Sequence, residues 1–391
     1  MSSKPDFVAD RLKEVRRLGR FRAPPVVQHS EGVRACVEGQ QAVVFCSNDY
    51  LGLRSDPRLI EAGHAAAERG GAGSGSSRLI AGSLPIHQAL EEELAEWIGS
   101  EAVLVCSSGY QANLALLQGV TRSGDLILSD SLNHASIIDG CRLSRAEVAV
   151  VKHGELDALR TVLRTPVEGA RFVVLEGLYS MDGDRGAVAD WAREADEGGA
   201  HLIIDEAHSL GVFGPAGTGV AAEQGVASDC FARVGTFGKS FGSHGAFVAC
   251  SRETRDLLVN SGRTYIFTTG LPPFSVGAAL ASLKILRSNE GAERAGKVAE
   301  LAGQLRRGLK NIGLQVLGDE DSPIVPVVVG PEERSMTLSR GLLQEGFYAM
   351  AIRPPTVAEG TCRLRFTVSA AHDRTMVDGL VAAAEKILSG L

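Results

Sequence analysis

The sequence lacks the features that mark membrane, secreted and disulfide-bonded proteins. It contains no uninterrupted apolar run of about 18 residues, so we expect no membrane-spanning helix. The N-terminal segment MSSKPDFVADRLKEVRR has no apolar stretch, and its Asp6, Asp10 and Glu14 argue against a signal or transit peptide. The seven cysteines form no CxxC pair and their number is odd. These absences predict a cytoplasmic protein with reduced thiols.

An excess of positive charge is also missing. The formal net charge of the 391-residue chain is −7, so no basic field favours nucleic acid as a partner. Lysine is scarce, with eight residues in the whole chain. Among them, only Lys239 lies among small residues, in the segment TFGKSFGSHG. This setting makes Lys239 the candidate for a reactive lysine.

What the sequence does contain is glycine, 46 residues of it, and an alternation of apolar strands with helices. Continuous apolar strands separated by helices predict an α/β protein with a mostly parallel central sheet covered on both faces. From about residue 276 the pattern changes to longer helices with a few strands, which predicts a smaller α+β lobe. We therefore expect an N-terminal helix with small strands at 1–45, a large α/β domain at 46–275 and a small C-terminal α+β domain at 276–391. The predicted strands of the large domain are 102–108, 126–129, 147–151, 171–176, 201–205, 231–237 and 246–250.

Polar residues gather where these strands end. Asp205 and His208 follow one strand in DEAH, and Lys239 follows another in GTFGKS. His134 begins a predicted helix after a third strand. The carboxyl ends of parallel strands share one edge of the sheet, so these side chains are expected to converge there.

The combination indicates pyridoxal phosphate. A lysine amine forms a Schiff base with this cofactor, and a carboxylate such as Asp205 keeps its pyridine nitrogen protonated. His208 is placed to reach the ring hydroxyl. Backbone N–H groups at a helix N-terminus, here around Gly109 and Tyr110, suit the phosphate. The hydroxyls of Ser180 and Thr236 are further candidate hydrogen-bond donors to the cofactor.

Over nearly its full length the chain resembles the α-oxoamine synthase family of pyridoxal-phosphate enzymes, which has fold type I. The segments that carry the resemblance are SNDYLGL (47–53), GAGSGSSRLIAG (71–82), HQALEEELAEW (87–97), SSGYQAN (107–113), NHAS (133–136), YSMDGD (179–184), DEAHSLGVFG (205–214), TFGKSFG (236–242) and IRPPTVAEGTCRLRFTVSAAH (352–372).

The resemblance implies a role for each matching residue. It makes Lys239 the residue that binds the cofactor covalently, Asp205 the partner of the pyridine nitrogen and His208 the partner of the ring hydroxyl. His134 matches the histidine that stacks on the cofactor ring, and it is also a candidate to hydrogen-bond a developing oxyanion. Further implied contacts are those of Gly109, Tyr110, Ser180 and Thr236 with the cofactor, and those of Arg22, Thr356 and Arg365 with substrate.

The resemblance also implies the reaction. Within the family, the motifs are most similar to members that condense alanine with a pimeloyl thioester and release carbon dioxide in biotin biosynthesis. Relatives that join glycine to acetyl-CoA or succinyl-CoA, or serine to palmitoyl-CoA, are the alternatives. The acyl carrier, coenzyme A or acyl carrier protein, stays open, as does the choice between Arg22 and Arg20. Ser76 stands where relatives often have glycine, which bears on the shape of the acyl channel.

A homodimer with shared sites is implied as well, with TTGLPP (268–273) as a segment that reaches the partner's phosphate.

Other readings of the motifs are weaker. DEAH and GKS suggest a helicase, but a Walker A loop needs glycine six residues before Lys239, where Arg233 stands. The segment GKSFG matches a hydrolase motif around Ser240, yet a strand rather than a helix is predicted to follow it. A metal site from His201, Asp205 and His208 is unfavourable because His201 lies at the opposite end of its strand. We expect no metal. A non-catalytic binding protein is a further alternative, and it would require that Lys239 takes no part in any reaction.

Overall fold

The fold is described from a computed structural model, which describes residues 6–29 and 31–390. The helices are α1 (Phe7–Arg17), α2 (Pro57–Gly70), α3 (Pro85–Ile98), α4 (Gly109–Val120), α5 (Ala135–Leu143), α6 (Leu156–Leu163), α7 (Val188–Glu197), α8 (Val220–Glu223), α9 (Arg252–Ser261), α10 (Arg263–Ile266), α11 (Pro273–Leu286), α12 (Asn289–Asn311), α13 (Glu332–Gln344) and α14 (Arg374–Leu388).

The strands are β1 (Val27–His29), β2 (Arg34–Val37), β3 (Gln40–Val44), β4 (Ala102–Cys106), β5 (Leu126–Asp130), β6 (Glu147–Val151), β7 (Arg171–Glu176), β8 (Ala200–Asp205), β9 (Cys230–Thr236), β10 (Ala246–Cys250), β11 (Gln315–Val316), β12 (Ile324–Gly330), β13 (Phe347–Tyr348), β14 (Met350–Ile352) and β15 (Cys362–Thr367).

Local sequence explains where the elements begin and turn. The Asp56 side chain caps α2 by accepting the backbone N–H of Arg58, and Pro57 occupies the first helical position. β2 and β3 are joined at Glu38 and Gly39, which both have positive φ. α1 forms as its periodicity predicts, but its described residues are all at least partly exposed.

The central sheet has the strand order β4-β10-β9-β8-β7-β5-β6. Its neighbours pair in parallel except that β10 runs antiparallel to both β4 and β9. The predicted α/β sheet is thus confirmed as mostly parallel. The reversal of β10 has a direct cause: residues 237–245 connect β9 to its neighbour without a crossover helix, so the chain must return in the opposite direction.

The core lies on both faces of this sheet. On one face α3 and α11 pack over Val103, Val105 and Phe247. On the same face α7 covers Val173 and Leu202 with its buried Trp191. On the other face α4 and α5 cover the alternate strand residues, among them Leu104 and Ile203. Buried apolar residues thus hold the strands rigidly, which fixes the polar residues that follow them.

Two further four-stranded sheets occur in the described residues, β1-β2-β3-β13 and β11-β12-β15-β14. In the first, β13 from the C-terminal part pairs in parallel with β3 from the N-terminal part. The longer helices expected from about residue 276 begin with α11 and α12, which are separate because α11 ends at Leu286 and α12 begins at Asn289. α11 packs in the core of the large sheet and spans residue 276, so the division of the chain at 45 and 275 stays a prediction.

A charged cluster near the edge of the sheet fixes the loop after β7. His153 Nδ1 lies 2.9 Å from Asp130 Oδ2, and its Nε2 lies 2.9 Å from Asp184 Oδ2. The hydrogen bonds to Asp130 and then to Asp184 raise the pKa of His153 to about 10. The imidazolium therefore joins β5 to the 179–184 loop.

We expect His153→Ala to lower the free energy of unfolding by about 1–3 kcal/mol at neutral pH, because buried Asp130 loses its charged partner. The pKa of His153 is raised from 6.5 to about 10 on folding, so its stabilisation is complete below pH 6.5 and disappears as pH rises through 10. Chemical denaturation of the wild type and of the variant should give free energies of unfolding that differ most below pH 6.5 and differ little above pH 10.

Lys152→Ala is the control for this prediction. Lys152 forms an exposed ion pair with Glu155, so its loss should change the unfolding free energy by less than about 0.5 kcal/mol. A difference in unfolding free energy between wild type and His153→Ala that stays the same at every pH would contradict the role of the His153 imidazolium.

Candidate active site

Lys239 lies on the reversing loop between β9 and β10. Phe237 and Phe241 of this loop are fully buried, and their ring centroids are 5.2 Å apart. Thr236 Oγ1 accepts the backbone N–H of Gly238 at 3.2 Å and donates to the Gly245 carbonyl at 3.0 Å. The two phenylalanines and Thr236 therefore anchor the loop and leave the lysine side chain to project from it.

The environment of Lys239 favours the neutral amine. Burial lowers the pKa of Lys239 to about 8, against the opposing influence of the Asp205 and Glu176 carboxyl groups. With that pKa, about one molecule in ten carries a neutral amine at pH 7, whereas an ordinary lysine is almost entirely charged. A neutral amine is the form that reacts as a nucleophile or a base.

Asp205, at the end of β8, is a buried and well-supported carboxylate. Its Oδ1 accepts the backbone N–H of Ala207 at 2.8 Å, and its Oδ2 accepts the Asn113 side-chain amide at 2.7 Å. Two donors offset part of the cost of burying a negative charge. A carboxylate held in this way can keep a pyridine nitrogen protonated.

His208 is buried near Asp205 and in contact with a tyrosine. Its Nδ1 lies 2.7 Å from the hydroxyl of Tyr50, which is fully buried. Burial lowers the pKa of His208 well below its ordinary value, and the positive charges of Lys239 and Arg365 add to this effect. His208 is therefore a neutral hydrogen-bonding group.

His134 is the N-cap residue of α5, and its ring lies at the same edge of the sheet. Its Nδ1 accepts the backbone N–H of Ser136 at 3.2 Å. Removal from water around the ring lowers the pKa of His134, with Asp205 opposing and Lys239 reinforcing the shift, although the residue as a whole is exposed. The predicted convergence of His134, Asp205, His208 and Lys239 is thus found in the structure.

The N-terminus of α4 supplies backbone donors beside these residues. The Ser108 side chain caps the helix by accepting the N–H of Gln111. Within the described part of the chain, the N–H groups of Gly109 and Tyr110 have no protein acceptor. The Tyr110 hydroxyl donates to Asp139, so the hydroxyl is engaged there while the Tyr110 backbone N–H remains without a partner. This helix start suits an anion such as phosphate.

Arg365 lies on β15 and connects two segments at the site. Its Nε donates to the Ser180 carbonyl, and its two terminal nitrogens lie 3.2 and 3.3 Å from Asn48 Oδ1. Arg365 is buried, and its charge lowers the pKa values of both His208 and Lys239. The terminal nitrogens face one neutral amide oxygen, which a substrate carboxylate could replace.

Arg22, on the segment after α1, and Thr356, on the loop after β14, are both exposed and both bond to the Arg353 carbonyl. Arg22 donates to the Pro354 carbonyl at 3.0 Å, and the Thr356 backbone N–H bonds to the Arg353 carbonyl. Arg20 lies 3.6 Å from Glu359 in the same loop. The structure therefore brings both N-terminal arginines to the 353–360 segment, and no described contact joins them to Lys239.

The glycine-rich stretch lies against the TTGLPP segment. The Ser76 carbonyl accepts the N–H of Gly270, and Ser77 bridges to Thr269. Thr268 Oγ1 in turn accepts the side-chain amide of Gln111 on α4 of the same chain. The reach of this segment to a partner subunit stays a prediction.

Sequence reasoning assigned no role to four residues that the structure places at the site: Asn48, Tyr50, Asn113 and Glu176. Glu176 ends β7 directly opposite Asp205 on β8. Burial raises the pKa of Glu176 well above its ordinary value, and the Asp205 charge adds to the shift. A signal for Asn113 was present, since it is a polar residue within the apolar helix segment YQANLALL.

The alternative readings find little support in this geometry. Ser240 is buried, and β10 rather than a helix follows its loop, so no nucleophile elbow forms. His201 packs against Phe172 and Phe231. Residues 6–29 and 31–390 contain no group of three side chains arranged for a metal ion, and none of their helices is long and apolar enough to cross a membrane.

The donor set fits pyridoxal phosphate. A lysine with a lowered pKa, a buried carboxylate and a neutral histidine meet beside a helix N-terminus with free N–H groups. There is space beside Gly109, because a Cβ built on it would have only Thr236 Cβ within 4 Å, at 3.9 Å.

Comparison with known proteins identifies the family. Residues 40–383 match the family Aminotransferase class I and II. The 8-amino-7-oxononanoate synthase of Geobacter sulfurreducens is 43% identical, with 97% of each chain covered. That of Alkalilimnicola ehrlichii is 43% identical, with 98% of this chain and 97% of the other covered.

The chain belongs to the 8-amino-7-oxononanoate synthase family. The expected acyltransferase, the pyridoxal phosphate cofactor and fold type I are thereby confirmed.

Solved structures agree on the fold. The serine palmitoyltransferase of Sphingomonas wittichii superposes with a TM-score of 0.92 and 32% identity, covering 99% of this chain and 97% of the other. The 8-amino-7-oxononanoate synthase of Francisella tularensis has a TM-score of 0.77 and 27% identity, covering 89% and 98%. The scaffold is shared by relatives whose names specify different substrates, so the substrate must be argued from the site.

We expect reduction of the holoenzyme with borohydride to fix the cofactor on Lys239, because this half-buried amine has a lowered pKa and the Asp205 carboxylate acts on its charge. Peptide mapping should find the label there. Lys284, which projects from α11, is the internal comparison and should remain unlabelled. A label on any lysine other than Lys239 would overturn the assignment.

Proposed function

We propose that this protein condenses alanine with a pimeloyl thioester to give 8-amino-7-oxononanoate, carbon dioxide and a free thiol, in biotin biosynthesis. The observation that carries the proposal is the convergence of Lys239, Asp205, His134 and His208 at one edge of the sheet. The identity of 43% over nearly the whole chain to named synthases supports it.

In this proposal the chain's own residues hold the cofactor. Lys239 would bind it covalently, Asp205 would hold its pyridine nitrogen and His208 would bond its ring hydroxyl. The backbone of Gly109 and Tyr110 would take the phosphate, and the Ser180 hydroxyl would add a hydrogen bond. The Thr236 hydroxyl already donates to the Gly245 carbonyl, so towards the cofactor it would act as an acceptor. When bound, the cofactor supplies an electron sink for the carbanion that forms at the amino-acid Cα.

Lys239 then moves the proton. With cofactor and alanine bound, Lys239 Nζ would be the group that accepts the Cα proton, because a pKa of about 8 leaves part of it as the neutral amine near neutral pH. The same nitrogen returns a proton after carbon dioxide has left. The anchored loop keeps Nζ in place through both transfers.

Arg365 holds the alanine carboxylate. Its Nε is fixed by the Ser180 carbonyl, so the two terminal nitrogens present a fork in a defined orientation. His134, at the start of α5, would hydrogen-bond the oxygen that becomes negative when the thioester is attacked.

The distal carboxylate of the pimeloyl group needs a cation. Arg22 lies on an exposed loop beside Thr356 and bonds to backbone carbonyl groups. A guanidinium satisfied by neutral carbonyl groups can exchange them for a carboxylate. We infer that Arg22 and Thr356 line the acyl entrance, whichever carrier delivers the acyl group.

A homodimer is part of the proposal. The helices α2, α3 and α11 leave an apolar groove of about 990 Å³, with Ala62, Leu84, Ile86 and Leu280 in its wall. Exposed apolar surface of this kind is typical of an interface. The family resemblance adds that the sites are shared between subunits. A cytoplasmic location also stays a prediction.

We expect the specificity constant for alanine with pimeloyl-CoA to exceed that for glycine with acetyl-CoA, glycine with succinyl-CoA and serine with palmitoyl-CoA. Slow turnover of glycine is compatible with this, since one methyl group separates substrates by only about 10–200-fold. If any of the other three pairs is preferred, the proposed substrates are wrong.

Arg22→Ala sharpens that comparison. Loss of a hydrogen bond to a charged group costs about 1.5–3 kcal/mol, so kcat/KM for the pimeloyl donor should fall by about tenfold to a hundredfold. Arg20→Ala, two residues away and paired with Glu359, is the matched control and should have little effect. The reverse order of effects would transfer the role to Arg20.

We expect light scattering of the holoenzyme to give twice the 41.1 kDa chain mass. Replacement of Leu280 in the apolar groove by Glu should shift the mass towards the monomer because it places a charge on the interface. A wild-type protein that is monomeric at assay concentration would contradict the shared-site proposal.

A further inference from the structure

A buried series of hydrogen bonds connects Asp205 to His134 through two residues that no role so far explains. Asn113 Nδ2 lies 2.7 Å from Asp205 Oδ2 and 2.9 Å from Ser136 Oγ. Ser136 Oγ lies 2.7 Å from His134 Nδ1. Asn113 is 3% exposed and Ser136 is 1% exposed, so water does not compete for these contacts.

The chemistry of the groups fixes the direction of these bonds. An ionised carboxylate only accepts, so the amide of Asn113 must face Asp205 with its nitrogen. The second N–H of the same nitrogen then donates to Ser136 Oγ. The Ser136 oxygen accepts this bond. Its hydroxyl donates to His134 Nδ1, because that nitrogen also accepts the Ser136 backbone N–H and so carries no proton of its own.

His134 Nδ1 is therefore an acceptor twice over. Besides the Ser136 hydroxyl, it accepts the backbone N–H of Ser136 at 3.2 Å. A ring nitrogen that accepts hydrogen bonds carries no proton, and in a neutral imidazole the proton then lies on the other nitrogen. His134 consequently presents Nε2–H as a donor.

We propose that Ser136 and Asn113 are positioning residues that hold His134 in the Nε2–H tautomer and tie its orientation to the Asp205 carboxylate. The proposal rests on the functions given above to His134 and Asp205. It adds a reason for the serine in NHAS and the asparagine in SSGYQAN: the ring that faces the reacting oxygen must donate a hydrogen bond. The wrong tautomer would place a lone pair against a developing negative charge.

The test is Ser136→Ala in the holoenzyme. This variant removes the hydroxyl donor and leaves Asn113 without its acceptor. We expect kcat to fall by about 10- to 100-fold while KM for alanine changes by less than about threefold, since the donor acts on the oxygen that becomes charged in the transition state. The visible absorbance of the bound cofactor should be retained, because Lys239 and Asp205 are untouched.

Ser144→Ala is the matched control. Ser144, the C-cap residue directly after α5, is also buried at 2% exposed, and its hydroxyl donates to the Cys141 carbonyl rather than to His134. Its loss should reduce stability but change kcat by less than about twofold. Equal kcat losses in the two variants would show that a buried serine at either end of α5 matters only for packing, and would overturn the proposal.

A direct measurement covers the case in which Ser136→Ala fails to fold. The nitrogen-15 chemical shifts of His134 in the labelled wild-type holoenzyme, assigned by loss of the signals in His134→Gln, distinguish the two tautomers. We expect Nε2 protonated and Nδ1 unprotonated; a protonated Nδ1 would overturn the proposal. Either result leaves the borohydride label on Lys239 unaffected, so failure here is distinguishable from failure of the proposed function.

Discussion

The buried negative charge of Asp205 is the constraint on which the rest of the site depends. A carboxylate that is 6% exposed is costly unless donors and positive charges surround it. The backbone of Ala207 and the amide of Asn113 supply the donors, and Lys239 supplies the charge. The same arrangement keeps Glu176 from sharing the charge, because burial and the neighbouring Asp205 raise the pKa of Glu176.

Placement of the lysine follows from sheet topology. Because β10 returns beside β9, the connecting loop is short and stays at the edge where Asp205 ends its strand. A crossover helix at that point would have carried the chain across a face of the sheet to start its next strand at the opposite edge. The antiparallel strand, a departure from the uniform parallel pattern, is thus the element that keeps Lys239 within reach of Asp205.

The fold class and the central residues of the site could be predicted from the sequence because both depend on strong local patterns. Apolar strand runs predicted the central sheet, and the isolation of Lys239 among small residues identified the reactive amine. The antiparallel direction of β10 could not be predicted, because a run of apolar residues has the same pattern in a parallel and in an antiparallel strand. The roles of Asn113 and Ser136 were missed for a different reason. A hydrogen-bond series across α4, α5 and β8 depends on contacts between distant segments, and periodicity does not report them.

The pairing of β13 with β3 determines when the protein can finish folding. Val43 and Phe347 are partners in this sheet, yet roughly 300 residues separate them along the chain. During synthesis β3 emerges early and has an unpaired edge until nearly the whole polypeptide has left the ribosome. Arg365, on a strand made later still, joins the loop after β7 only at that stage. A nascent chain can therefore complete its central sheet well before it has a binding site for an amino-acid carboxylate.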